Sequence, residues 1–174
     1  MIKPRTISLK LIKTMIKDKK VRTAITTKSH WYFFHFYFAH YVQYPIAPFH
    51  EEIFSILDDE KIKLAVIVAF RNSAKSTLIT MSYVLWSILG IQQKKFIVIC
   101  GQTDKKARQY LTNIKDELLD NELLKKDLGP FEEEKNSLGN ATALIIKKLN
   151  VKIMISSVEQ SISGMRHGEH RPDL

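Results

Sequence analysis

The chain has 174 residues, enough for one well-cored domain and short for two. Its 45% apolar and 26% charged content match a globular protein and exclude a disordered or collagenous chain. The formal charge of +9 favours polyanionic partners such as nucleic acid, although a lysine-rich composition gives the same balance without one. The single cysteine, Cys100, excludes an intrachain disulfide, and its apolar surroundings predict a buried, inert thiol.

At the N-terminus, Lys3, Lys10, Lys13, Lys17, Lys19 and Lys20 interrupt the apolar residues, so no signal-peptide core forms and a cytoplasmic location is expected. Ile7, Leu9, Leu11, Ile12, Met15 and Ile16 give an imperfect helical stripe, and residues 1–30 read as a basic helix or arm, with a polar loop over 23–29. Residues 31–44 are almost wholly aromatic, and the most apolar window, 31–42, is interrupted by His35 and His40 and too short to span a bilayer. Aromatics on all sides of a helix are expected in a core, while exposed ones beside positive charge would stack on bases. His30, His35 and His40 are spaced by five and share no helix face, which argues against a metal site. Pro45 and Pro48 stop this helix, and His50-Glu51-Glu52 opens a short one carrying Ile53, Phe54, Ile56 and Leu57.

The pattern then changes. Residues 64–70 are continuously apolar and rich in β-branched side chains, the mark of a strand buried on both faces. A helix is predicted from Lys75 to Leu89, ending at Gly90, and a second buried strand over 96–100. Thr103 is a candidate N-cap for a long helix bearing Ala107, Tyr110, Leu111, Ile114, Leu118 and Leu119, broken at Gly129-Pro130. The apolar runs 143–146 and 151–155 predict a hairpin, residues 161–172 a loop, and Asp173-Leu174 the start of another strand. Strands alternating with helices predict an α/β fold: a parallel central sheet flanked by helices, plus a β-hairpin.

Ala69-Phe70-Arg71-Asn72-Ser73-Ala74-Lys75-Ser76-Thr77 stands at the first strand-to-helix junction. A phosphate-binding loop is usually Gly-x-x-x-x-Gly-Lys-Ser/Thr, and alanine occupies both glycine positions here, as Ala69 and Ala74. The context still suits phosphate, because free N–H groups and the dipole at a helix N-terminus attract anions. Lys75 would reach the β- and γ-phosphates of ATP and the Ser76 hydroxyl would ligate Mg²⁺. Alanine resists positive φ, so the loop must differ slightly from the glycine form or tolerate strain. Arg71, four residues before the lysine, suits the role of an arginine finger, worth roughly 10³–10⁵ in rate where it operates. An ordinary turn with Lys-Ser at its end, and a solvated or DNA-contacting Arg71, are the competing readings.

These residues resemble the large terminase subunits of tailed bacteriophages, the DNA-packaging motors. The family's phosphate loop is similar to residues 70–77, often lacking the usual glycines and carrying an arginine where Arg71 stands. Ala47-Pro48-Phe49-His50-Glu51-Glu52 resembles the segment preceding that loop, and Ile99-Cys100-Gly101-Gln102-Thr103 the second strand, with Ala107 in the helix after it. Residues 161–174 resemble the approach to the family's Walker B strand. The likeness covers about residues 32–174, the N-terminal portion of the ATPase domain.

That resemblance implies a P-loop NTPase fold and ATP hydrolysis coupled to translocation of double-stranded DNA. It also implies a small terminase subunit and a portal protein as partners, and a homo-oligomeric ring. Arg71, Asn72, Ser73, Ala74, Lys75, Ser76 and Thr77 would hold the nucleotide with Mg²⁺. Gln43 and His50 are candidates for the adenine side, with helix capping or packing as their alternatives. The family's Walker B acids, catalytic carboxylate and nuclease have no counterpart before Leu174, so this sequence alone is expected to bind nucleotide weakly without turning it over. A helicase-like ATPase and a non-catalytic DNA-binding remnant are the other readings.

Overall fold

The computed structural model describes residues 8–131, 142–159 and 164–174. Lys3 and Ile7, and residues 161–163 of the expected polar loop, lie outside them. The chain divides into two units, Met1–Trp86 and Ser87–Leu174.

The described part of the first unit is helical. Helix α1 (Leu9–Lys17) is capped by Ser8, and α2 (Lys19–Thr26) by the Asp18 carboxylate, which accepts from the N–H groups of Lys20 and Val21. The loop expected over 23–29 is therefore shorter, because Thr23 to Thr26 complete α2: their hydroxyls turn back to helix carbonyls instead of breaking the ladder. Buried Arg22 donates to Met15 O at 2.7 Å and Ile16 O at 3.1 Å, satisfying the orphaned C-terminal carbonyls of α1.

Helix α3 (His30–Tyr37) and the 3₁₀ turn Ala39–Tyr41 carry the aromatic run, and the chain leaves regular helix well before Pro45. Trp31, Phe33, Phe34, Tyr37 and Phe38 are all buried, so these side chains form a core and not a base-stacking surface. His30 sits in that core, its ring against Phe54, Tyr83 and Trp86 and its Nε2 at 2.7 Å from Ser82 Oγ. Helix α4 (Pro48–Asp58) follows, with Ile53 and Phe54 inward and the Asp58 carboxylate accepting from the His30 N–H.

Residues 64–70 correct the sequence reading. They form no strand, and Leu64 and Val68 are 87% and 91% exposed. A doubly buried strand needs a ladder on each edge, and among the described residues of this unit no strand offers one. The helix after the loop also differs, opening as a π-helix, Ser76–Tyr83, before α5 (Val84–Leu89).

The second unit is mixed α/β. Its three-stranded sheet has the order β1 (Phe96–Gly101), β3 (Val151–Ser157), β2 (Ala143–Ile146). β1 and β3 run parallel, whereas β2 and β3 form the expected antiparallel hairpin, turned by Lys147–Leu149 and a left-handed Asn150 at φ 50°. The sheet is thus mixed, and residues 64–70 do not belong to it, unlike the parallel central sheet that the sequence predicts. Helix α6 (Asp104–Asp120), N-capped by Thr103, lays Ala107, Leu111, Ile114 and Leu118 inward, while Leu119 is 58% exposed. A Cβ at Gly101 would stand 2.6 Å from Ala107 N, so only glycine lets β1 meet this helix so closely.

The break in α6 comes at Asn121, not at Gly129-Pro130. Asn121 Oδ1 accepts from Leu124 N–H and starts α7 (Glu122–Leu128), an N-cap that outcompetes continued helix. Cys100 is exposed, contrary to the buried thiol expected from its neighbours, because side chains alternate along a strand and Ile99 takes the inner side. Asp173 N–H donates to Phe96 O and Val98 N–H to Leu174 O, each at 2.9 Å, so the last two residues line the β1 edge opposite β3. The Asp173 carboxylate also accepts from the Lys95 and Phe96 N–H groups. Among the described residues no helix is long and apolar enough to cross a membrane.

Exposed apolar residues in a segment that no sheet or helix takes up favour association between chains. The 174-residue chain is expected to self-associate with rising concentration, and Val68→Lys to reduce that association in light scattering without lowering the thermal midpoint. Equal scattering by the variant would show that residues 64–70 are not the contact.

Candidate phosphate-binding loop

All the candidate loop residues lie in the first unit. The polypeptide enters along residues 64–70, turns through Arg71–Ala74 and starts its helix at Lys75 and Ser76. Two non-glycine residues in that turn are left-handed, Asn72 at φ 65° and Ala74 at φ 56°. Asparagine tolerates this region, whereas alanine pays about 1–2 kcal/mol for it. The loop therefore accepts strain at Ala74, where the usual phosphate loop has its second glycine.

Lys75 closes the turn from inside. Its Nζ donates to Ala69 O at 3.0 Å and to Phe70 O at 2.9 Å, so the ammonium group lies across the incoming chain. An anion that met this ammonium would compete with two neutral carbonyls, a contest that charge-assisted hydrogen bonds favour.

Helix α4 supports the loop from outside. His50, at the third position of that helix, reaches back so that Nδ1 accepts from the Ala47 N–H at 3.1 Å. The other ring nitrogen, Nε2, lies 3.0 Å from Ser73 O. The Phe49 ring stands edge-on to Phe70 at 5.4 Å between centroids. Phe49 and Ala47 are contributors that the sequence reading did not select. The spacing Ala47-x-x-His50 is the signal for them, since a residue three places after an N-cap reaches back to the cap's N–H.

The loop's own donors remain available. At the junction Leu78 N–H donates to Ala74 O at 3.0 Å, and the first N–H groups of a helix lack intrahelical acceptors. Ser73 is 2% exposed, and its Oγ has no hydrogen-bond partner among the described residues. Arg71, Asn72, Ala74 and Ser76 are exposed, Thr77 half-buried. An orphaned hydroxyl, a cation and unsatisfied N–H groups along one turn fit a phosphate group.

The other candidates separate. Gln43 is exposed, its N–H donating to Tyr41 O at 3.1 Å, and among the described residues no hydrogen bond joins its side chain to the loop. Both ring nitrogens of His50 are engaged by backbone, which gives it a structural duty at the loop in place of a free edge for a base. Ser76 opens the π-helix, a helical form that recurs at functional sites. Among the described residues no three acidic, histidine or cysteine side chains gather as a metal site.

Relief of the left-handed alanine is measurable. Ala74→Gly removes a cost of about 1–2 kcal/mol and adds an unfolded-state entropy cost of about 0.4–1 kcal/mol, so urea unfolding should show a net gain of up to about 1.6 kcal/mol. Ala74→Val, β-branched at positive φ, should instead lose stability; equal midpoints for all three chains would show that Ala74 is not left-handed in solution. No protein-family model, curated protein or solved structure matches this chain.

Proposed function

We propose that residues 69–77 bind the phosphates of ATP with Mg²⁺, and that the chain serves a DNA-packaging ATPase of the large terminase type. The observation that carries the nucleotide reading is the left-handed turn at Asn72 and Ala74 with the Lys75 ammonium folded across it. A sequence without the usual glycines still takes up a glycine-type backbone there, at an energetic cost that ordinary turns avoid.

In this reading each residue has a separate duty. N–H groups at the start of the helix meet phosphate oxygens, and Lys75 leaves the Ala69 and Phe70 carbonyls to neutralise the β- and γ-phosphates. Ser76 would offer its hydroxyl to Mg²⁺, and the ion would supply neutralisation of phosphate charge. Arg71, exposed and four residues before the lysine, holds a guanidinium where charge grows on a transferred phosphoryl group. Thr77 and Asn72 flank the site.

Double-stranded DNA as the partner rests on the +9 charge and on the exposed lysines Lys10, Lys13, Lys17, Lys19 and Lys20 of α1 and α2. The small terminase subunit, the portal protein and the homo-oligomeric ring rest on the resemblance alone.

Equilibrium titration with a fluorescent ATP analogue and Mg²⁺ tests the nucleotide reading. The wild-type chain is expected to bind, and Lys75→Ala to weaken binding about tenfold or more, the loss of a charge-assisted contact of about 1.5–3 kcal/mol. Equal affinity in the variant would remove the phosphate-loop assignment.

A further inference from the structure

We propose that His50 is a positioning residue of the phosphate loop, acting as a neutral imidazole that carries its proton on Nε2 and orients the Ser73–Ala74 peptide. The inference rests on the nucleotide reading for its functional consequence, but its geometry stands apart from it.

The tautomer follows from the partners. A backbone N–H can only donate, so the Ala47 N–H at 3.1 Å requires His50 Nδ1 to accept. A neutral imidazole then has its hydrogen on Nε2, and the Ser73 carbonyl at 3.0 Å is its acceptor. One ring thereby joins the first turn of α4 to the centre of the loop, 23 residues along the chain. The Phe49 ring, 3.9 Å from the His50 ring between centroids, restricts its swing.

The consequence for the loop comes from the planar trans peptide. Its C=O and N–H point in opposite directions, so holding Ser73 O toward His50 turns the Ala74 N–H away from it. The Ala74 N–H therefore lies on the side of that peptide opposite His50, in a residue that is itself exposed. It immediately precedes the left-handed Cα whose conformation costs energy, so an external bond at this peptide holds a geometry that alanine would not choose alone. Lys75 does the same from within for the carbonyls of Ala69 and Phe70. His50 thus presents a phosphate-facing N–H without touching the nucleotide.

Two substitutions divide the ring's two bonds. His50→Asn keeps an acceptor near Nδ1 and loses the donor to Ser73, whereas His50→Gln places an N–H near the Nε2 position and loses the acceptor for Ala47. Hydrogen exchange of the nucleotide-free chain should therefore speed up across residues 72–75 in His50→Asn and stay near wild type in His50→Gln. Affinity for the fluorescent ATP analogue should fall about three- to tenfold in His50→Asn, the range of one neutral hydrogen bond, and change less than about twofold in His50→Gln.

Nitrogen chemical shifts of the wild-type imidazole should show a protonated Nε2 and a bare Nδ1, a measurement that needs no variant to fold. The reverse tautomer, equal exchange in both variants, or faster exchange in His50→Gln than in His50→Asn would each overturn the proposal. If the wild type binds no nucleotide, the phosphate reading fails, and the exchange pattern and tautomer still decide the role of His50.

Discussion

The left-handed backbone at Ala74 is the constraint around which the first unit's loop is arranged. Glycine would meet it freely, and alanine meets it at a cost that neighbouring structure must offset. Two hydrogen-bonding groups do so from opposite sides. Lys75 gathers the carbonyls of Ala69 and Phe70, and His50 holds that of Ser73. Side chains thus engage the carbonyls of Ala69, Phe70 and Ser73, and the planar Ser73–Ala74 peptide turns its N–H away from His50, where the proposed anion would meet it.

That arrangement depends in turn on the anchoring of the helices beside it. Helix α4 is held through Ile53 and Phe54, and Asp58 at its far end accepts from the His30 N–H. The π-helix after the loop is held through Leu78, Met81 and Ser82, the last within 2.7 Å of His30 Nε2. His30 therefore touches both the helix that carries His50 and the helix that begins at Ser76. Trp86 adds a further tie, its Nε1–H donating to Thr26 O at 3.2 Å. Buried polar groups paired in this way fix a particular packing, since each would be costly if left alone in an aromatic core.

Much of this was legible in the sequence, for identifiable reasons. The loop was located by Lys75-Ser76 at a junction, and the strain at Ala74 followed from alanine standing where positive φ was needed. The β2–β3 hairpin, the Thr103 cap and the buried aromatic run were read from local patterns that local structure obeys. Residues 64–70 were misread because apolarity records what a segment can bury and not which partner is present. Cys100 was misread because a strand of continuous apolar residues hides which of its two sides faces out. The tie from His50 to Ser73 was out of reach, because nothing local marks a pairing of residues 23 apart in the chain. The reach-back to Ala47 is open to view in the three-residue spacing, and helix capping stands among the sequence alternatives for His50 beside contact with a base.

The most direct measurement of the central claim is the amide spectrum of the isotopically labelled chain during titration with ATP and Mg²⁺. The largest shifts should fall on the N–H groups of Ser73, Ala74, Lys75, Ser76 and Thr77, saturating together with a single affinity. Shifts confined to the lysine-bearing helices α1 and α2, or none at saturating nucleotide, would contradict it.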